Sequence, residues 1–245
     1  FILCEDTRRT SKLLKHFKIN KPLISYHKFN EKKNIPKIIR YLNEGKILSL
    51  VSDAGTPILS DPGNLLVEEC INKKISVIPI PGPSSLTAAM SVSSFDDQFI
   101  FYGFLPKKDL ELEKELKKLS NINFAIVAFI PSLRVNFYIK YFKKHFDDRK
   151  ILIAREISKL HETFYRNNVK DLELFTSTLK GELTIVLSKK IIKKEIDKKK
   201  EFKEMKILAK SYLKKYSMKD TVNLISLSSS ISKKIIYDYC LKIKK

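Results

Sequence analysis

Short apolar runs alternate with amphipathic stretches along the first part of the chain, the pattern of βαβ units and of a mostly parallel sheet covered by helices. Phe1 to Cys4 reads as a strand and Thr7 to Phe17 as a helix, with Leu13, Leu14 and Phe17 at helical spacing. Ile24 to His27 is expected to form a short strand and Ile35 to Asn43 a helix, with Ile38, Ile39 and Leu42 inward and Gly45 as terminator. The strand Ile47 to Val51 follows. Ser60 or Asp61 can cap the next helix, with Pro62 at its first position and Asn64 to Asn72 helical. Val77 to Ile80 looks like another strand, running through Pro81-Gly82-Pro83-Ser84-Ser85 into the small-faced segment Leu86 to Met90. Phe99 to Phe104 reads as the last strand of this unit.

After Leu105-Pro106-Lys107-Lys108 the alternation restarts. A charged helix is expected over Asp109 to Leu119, a strand over Phe124 to Ile130 and a helix over Leu133 to His145. Strands are expected over Ile151 to Arg155, Glu162 to Tyr165 and Leu183 to Leu187. Two α/β domains result, 1–104 and 105–190. From Lys189 the chain turns lysine-rich, and 191–200 reads as a solvated linker. Three further helices, Phe202 to Tyr216, Lys219 to Ser226 and Ser232 to Lys242, make a small helical module over 201–245.

A chain of 245 residues with 43% hydrophobic and 31% charged residues reads as globular and soluble, and its apolar runs fall far short of the roughly 20 residues that span a bilayer. Cys4, Cys70 and Cys240 are widely separated, as expected of reduced thiols in a cytoplasmic protein. His16, His27, His145 and His161 lack metal-ligand spacing, so no metal is expected. The net charge of +21 favours a polyanionic partner, nucleic acid first, because Lys and Arg on phosphates release counterions. The same excess of lysine, with abundant Ile and Asn, is also what an AT-rich genome produces without selection for binding.

Neither a Gly-Lys-Ser/Thr phosphate loop nor a Gly-x-Gly-x-x-Gly fingerprint occurs, and there is no Gly-x-Ser-x-Gly elbow. The strand Ile47 to Val51 instead breaks into Ser52-Asp53-Ala54-Gly55-Thr56-Pro57 and on through Ser60-Asp61-Pro62-Gly63, at a strand tip where open α/β sheets bind small ligands. Asp53, the Ala54–Gly55 peptide groups and Thr56 suit a ligand with amine, carboxylate or sulfonium groups; the plainer reading is a turn closed by Asp53 and Thr56 and stiffened by Pro57. Glu5-Asp6-Thr7-Arg8-Arg9-Thr10 places carboxylates and guanidinium groups at the same sheet edge, where Arg can grip phosphate through paired hydrogen bonds. The plainer reading there is a capped helix whose arginines face water.

As an ordered set, Glu5 to Thr10, Leu23-Ile24-Ser25-Tyr26-His27, Val51 to Pro57 with Ser60 to Gly63, and Pro79 to Ser85 closely resemble the bacterial small-subunit ribosomal RNA methyltransferase I family of the tetrapyrrole methylase superfamily. Phe104-Leu105-Pro106-Lys107, Ala154-Arg155-Glu156 with Lys159-Leu160-His161-Glu162, and Gly181-Glu182 extend the resemblance over nearly the whole chain. It implies an α/β tetrapyrrole-methylase fold of two domains with S-adenosylmethionine between them, a homodimer, and a helix-turn-helix-like carboxyl-terminal module. The implied reaction is methylation of a cytidine ribose 2′-hydroxyl in the decoding region of 16S rRNA, with the rRNA or the small ribosomal subunit as partner and no membrane. Glu5 and Asp6 are then the candidates to assist loss of the hydroxyl proton. Asp53, Ala54, Gly55, Thr56, Pro57 and Ser85 would shape the cofactor pocket, and Arg8, Arg9, Lys198, Lys199 and Lys200 would contact RNA.

The chain departs from the family pattern at Phe129-Ile130-Pro131-Ser132-Leu133-Arg134, where an aromatic-Glu-Ser-Pro-His-Arg run is usual: the Glu and the His are lost while Arg134 is kept. The resemblance also places the family's first strand, with a Thr-Pro-x-Gly-Asn-Leu loop, ahead of Phe1. Two other functions fit the same features: a tetrapyrrole or small-molecule methylase of this fold, and a truncated RNA-binding protein without transferase activity.

Overall fold

Three short apolar strands build the first sheet. In the computed structural model, which describes residues 1–191, 198–229 and 231–244, β1 (Ile2–Cys4), β2 (Leu23–Ser25) and β3 (Ser49–Val51) run parallel in the order β2-β1-β3. Cys4 lies level with Ser25 and with Val51. That register brings the carboxyl ends of the strands to one edge, so Glu5 and Asp6 leave β1 beside Ser52 and Asp53.

The helices α1 (Thr7–His16), α2 (Glu31–Asn43) and α3 (Asn64–Asn72) follow the predicted periodicity. Leu3, Tyr26, Ile38, Ile39, Leu66 and Cys70 form the buried core of this part. α2 begins four residues before the expected Ile35 because side chains outside the apolar pattern fix its start. Asn30 and Asn34 donate to the Ser25 carbonyl at 3.2 and 2.9 Å, and Pro36 falls inside the helix. The cap of α3 is also not the expected Ser60 or Asp61 but Gly63, at a φ of 133°. A Cβ at Gly63 would stand 2.7 Å from Leu50 Cδ2, so glycine is required by both conformation and space.

Val77 to Ile80 forms no strand. The run has no hydrogen-bonded neighbour among the described strands, and Ile78 and Ile80 are exposed. Apolar β-formers alone do not make a strand without a ladder partner.

The second sheet contains β4 (Phe99–Phe104), β5 (Ala125–Pro131), β6 (Lys150–Arg155), β7 (Thr163–Asn168) and β8 (Glu182–Leu187), in the order β4-β5-β8-β6-β7. Only β4 and β5 are parallel; the other pairings are antiparallel. α5 (Asp109–Ser120) and α6 (Val135–His145) cover one face through Leu112, Leu116, Tyr138 and Phe142. On the opposite face, Leu86 and Ala89 of α4 (Ser85–Ser91) pack on Val127, Leu152, Ala154 and Val186. Thus α4 and β4, which the sequence places before a boundary at 104, belong to the second sheet.

Arg149 is fully buried at the rim of this sheet, where its guanidinium donates to the carbonyls of Phe124 at 2.9 Å, Ser188 at 2.8 Å and Ile122. Burial pushes its pKa down. One side chain thereby joins the segment after α5, the approach to β5 and the end of β8.

The chain divides into two units, Phe1–Ile191 and Ile192–Lys245. In the second unit, α7 (Lys198–Tyr212), α8 (Met218–Ser228) and α9 (Lys233–Lys244) bury Met205, Ala209, Val222, Ile225, Ile236 and Cys240. The Ser217 hydroxyl caps α8 by accepting from the Asp220 N–H at 3.2 Å. Lys198 to Lys200, expected in the linker, make the first turn of α7. The rest of the expected linker, residues 192–197, lies outside the described residues. No described helix is long and apolar enough to cross a membrane.

Candidate active site

A cleft of about 530 Å³ opens at the carboxyl edge of the first sheet, within the first unit. Its size falls in the range of small-molecule sites, about 300–1,000 Å³. Glu5 and Arg9 line it from the exit of β1, and Asp53 to Thr56 with Leu59 to Asp61 from the loop after β3. Pro83 to Leu86 and Ala88 contribute at the start of α4, and Phe104 and Phe129 to Pro131 at the ends of β4 and β5. Ile157 to Lys159 and Gly181 to Thr184 close the far side.

Seven residues predicted for the site meet here: Glu5, Arg9, Asp53, Ala54, Gly55, Thr56 and Ser85. Asp53 ties the exits of the two strands together, accepting from the Asp6 N–H at 3.2 Å and pairing with Arg9 Nε at 3.4 Å. The Thr56 hydroxyl donates to the Pro83 carbonyl at 3.4 Å, linking this loop to the approach to α4. Ser52 closes the turn from inside, its hydroxyl 3.1 Å from the Ala54 carbonyl and 3.2 Å from that of Gly55.

Asp6, Arg8 and Pro57 do not line the cleft. Asp6 caps α1, and its carboxylate accepts from the Arg8 backbone N–H at 2.9 Å and from the Arg8 guanidinium at 3.0 and 2.8 Å. These bonds hold the Asp6 carboxyl well below the usual carboxylate range. A carboxylate held this way is a poor proton acceptor, so the plainer reading of a capped helix describes Asp6 and Arg8, while Arg9 reaches the cleft. Lys198, Lys199 and Lys200 stand in the other unit.

The sequence reading missed several lining residues. Asp61 turns into the cleft, where burial, then Glu5, and more weakly Asp53 and Glu182 push its pKa up to about 6 against a hydrogen bond from Ser52. Its loop is bent through left-handed conformations at Gly55, Ile58, Ser60 and Gly63, with φ of 72°, 76°, 74° and 133°. For β-branched Ile58 this geometry costs on the order of 1–3 kcal/mol. Gly103 sits at a bulge in β4, and a Cβ there would meet Ser60 Oγ at 3.1 Å.

On the opposite wall Lys159 bridges Glu156 and Glu182, each at 3.0 Å. Burial lowers the Lys159 pKa, but the two carboxylates outweigh it and raise the pKa. Glu156 also accepts from the Glu182 N–H at 2.8 Å. Gly181, at a φ of 98°, passes directly over the Glu156 carboxylate and leaves no room for a Cβ. Phe104 and Phe129, with centroids 5.2 Å apart, form an apolar wall suited to a flat ring. Asp61, Lys159 and Glu182 all lie in motifs that carried the family resemblance, but the resemblance gave none of them a role, and Asp61 read otherwise as a helix cap.

Residues 1–173 match the profile of the tetrapyrrole (corrin/porphyrin) methylases. Ribosomal RNA small subunit methyltransferase I of Thermotoga maritima is 45% identical over 192 residues, covering 77% of this chain and 86% of the relative. The protein of the same name from Bacillus subtilis is 31% identical over 245 residues, covering 97% and 83%. Among solved structures, diphthine synthase aligns with a TM-score of 0.54 at 12% identity, over 76% of this chain and 78% of that one. The methyltransferase CobJ aligns with a TM-score of 0.53 at 14% identity, over 77% and 92%. These structures share the fold.

The methyl donor of the family, S-adenosylmethionine, carries a sulfonium and an ammonium group. The cleft offers them Glu5, which forms no ion pair among the described residues, together with the peptide groups of the 53–56 turn. The residues present therefore fit the donor. By sequence over most of its length, and by fold, the chain belongs to the S-adenosylmethionine-dependent tetrapyrrole methylase family.

Proposed function

We propose that this protein methylates the 2′-hydroxyl of a cytidine ribose in 16S rRNA, taking the methyl group from S-adenosylmethionine. The observation that carries this reading is the 45% identity to a ribosomal RNA small subunit methyltransferase I. The fold neighbours that act on other substrates are only 12–16% identical. The net charge of +21 suits an RNA partner.

When bound, the donor supplies an electrophilic methyl carbon. The chain supplies position, which can lower a barrier by several kcal/mol when reacting atoms are held in line. Asp53, Ala54, Gly55, Thr56 and Ser85 hold the donor, and Pro57 stiffens their loop from outside the cleft. Glu5 faces the donor's positive charge. Arg9, at the rim and held by a single contact to Asp53, is the guanidinium placed to take an RNA phosphate. Arg8 is engaged by Asp6 and contributes less. Lys198, Lys199 and Lys200 add RNA contacts from the helical module. The working assembly is a homodimer, in the cytoplasm.

The test is transfer of radiolabelled methyl groups to small subunits that lack the modification, with a tetrapyrrole as control. Label recovered as 2′-O-methylcytidine is the expected result. Label in the tetrapyrrole, or none in the rRNA, rejects the reading.

A further inference from the structure

The carboxylates of the cleft differ in what already holds them. Asp53 accepts a backbone N–H and faces Arg9. Glu182 pairs with Lys159, and Glu156 is held both by Lys159 and by the Glu182 backbone. Asp6 lies outside the cleft, bound to Arg8. Asp61 is different: it is partly buried, lines the cleft and forms no ion pair among the described residues. Its place is set by the chain. Ser60 before it and Gly63 after it are both left-handed, and Ser60 packs against a glycine in β4 where a Cβ would crowd its hydroxyl.

We propose that Asp61 is the residue that takes the proton from the ribose hydroxyl during methyl transfer; this role rests on the function proposed above. As the ribose oxygen bonds to the methyl carbon, Asp61 Oδ takes the hydroxyl proton and later releases it to water. The electron pair of the broken carbon–sulfur bond stays on sulfur, so the donor leaves uncharged and the overall reaction releases one proton.

A proton acceptor works best when its pKa lies near the working pH. Burial first, and then its neighbours, raise the proton affinity of Asp61 in that direction. Glu5 faces it from the exit of β1, Asp53 from the exit of β3 and Glu182 from the start of β8. The cations that share the cleft, Arg9 and Lys159, are paired with other carboxylates. Glu5 lines the same cleft, but it leaves β1 directly and lacks the left-handed bends that fix Asp61 in place.

The test compares the full-length protein with Asp61→Asn and Asp61→Glu. Methyl transfer to undermethylated small subunits is followed across pH, donor binding is measured by calorimetry, and the carboxyl groups are titrated by NMR without ligand. Asp61→Asn is expected to lose ~100-fold or more in kcat, while its affinity for S-adenosylmethionine falls less than about tenfold. Asp61→Glu should recover part of the rate. In the unliganded wild-type protein one carboxyl resonance should titrate at about 6 and be missing from Asp61→Asn. Wild-type kcat in Asp61→Asn, or a loss of donor affinity as large as the loss of rate, would overturn the role. If neither variant folds, the wild-type titration decides: the absence of any carboxyl titrating near 6 overturns it. No rRNA labelling by the wild-type protein rejects the underlying function, and this role with it.

Discussion

Asp61 should make the protein less stable as pH rises, and Asp61→Asn should reverse that loss. Burial, with Glu5 next, raises the Asp61 pKa from 3.8 to about 6. At ~1.4 kcal/mol per tenfold change in proton affinity, about two decades set a ceiling of roughly 3 kcal/mol. Solvent reaches part of the side chain, and screening reduces this to about 1–2 kcal/mol. The sign follows from the direction of the shift. Below the unfolded-state pKa both states hold the proton and Asp61 carries no penalty; as pH rises through about 6 the folded state must ionise a carboxyl it disfavours, and stability falls. The asparagine keeps the size and the polar character, so it isolates the charge. Urea denaturation of the wild-type protein and Asp61→Asn at matched pH values should give equal midpoints near pH 4 and a higher midpoint for the variant by pH 8. The variant would then combine greater stability with the slow transfer argued above, a common trade-off at active sites. A stability difference independent of pH, or an asparagine variant less stable at pH 8, would refute the reasoning. Either result would mean the ionised Asp61 is held by favourable contacts.

Arg149→Met should remove the donors that join Ile122, Phe124 and Ser188, leaving buried carbonyls unpaired. A loss of about 3–5 kcal/mol in denaturant titration is expected, and a loss under ~1 kcal/mol would count against a structural role. Gly181→Ala should lower the melting temperature and the transfer rate together, because a Cβ at a φ of 98° strains the backbone and displaces the Glu156 carboxylate that Lys159 and Glu182 share. An unchanged melting temperature would refute this. Replacing Lys198, Lys199 and Lys200 with Gln should weaken rRNA binding and flatten its salt dependence by up to about three counterions. An unchanged salt slope would remove these lysines from the RNA contact.

How much of this was legible in the sequence depends on how far each signal reaches. Helices α1 and α3 and strands β5 and β8 carry their signal in their own apolar spacing, and they were read to within a residue or two at each end. The sheet that β4 joins could not be read locally, because β4 looks like any strand; its pairing with β5 decides it. Val77 to Ile80 fails for the same reason, since the strand depends on a neighbour that the run itself does not contain.

The cleft follows the same rule one level down. Asp53 and Thr56 stood out because a loop of special residues at a strand tip is a local pattern. Glu5 and Asp6 are adjacent acidic residues and were given one role, yet three bonds from Arg8 hold Asp6 while Glu5 faces the cavity. The distinction depends on where an arginine two positions on directs its side chain, which residue type does not state. Asp61 sits in a Ser-Asp-Pro-Gly run that belongs to the family resemblance and reads locally as a helix start, and neither reading gives it a role in the cleft. Its raised pKa comes first from burial and then from charges on three separate segments, the exits of β1 and β3 and the start of β8, all of which depend on what the fold brings to one place and none of which the run itself states.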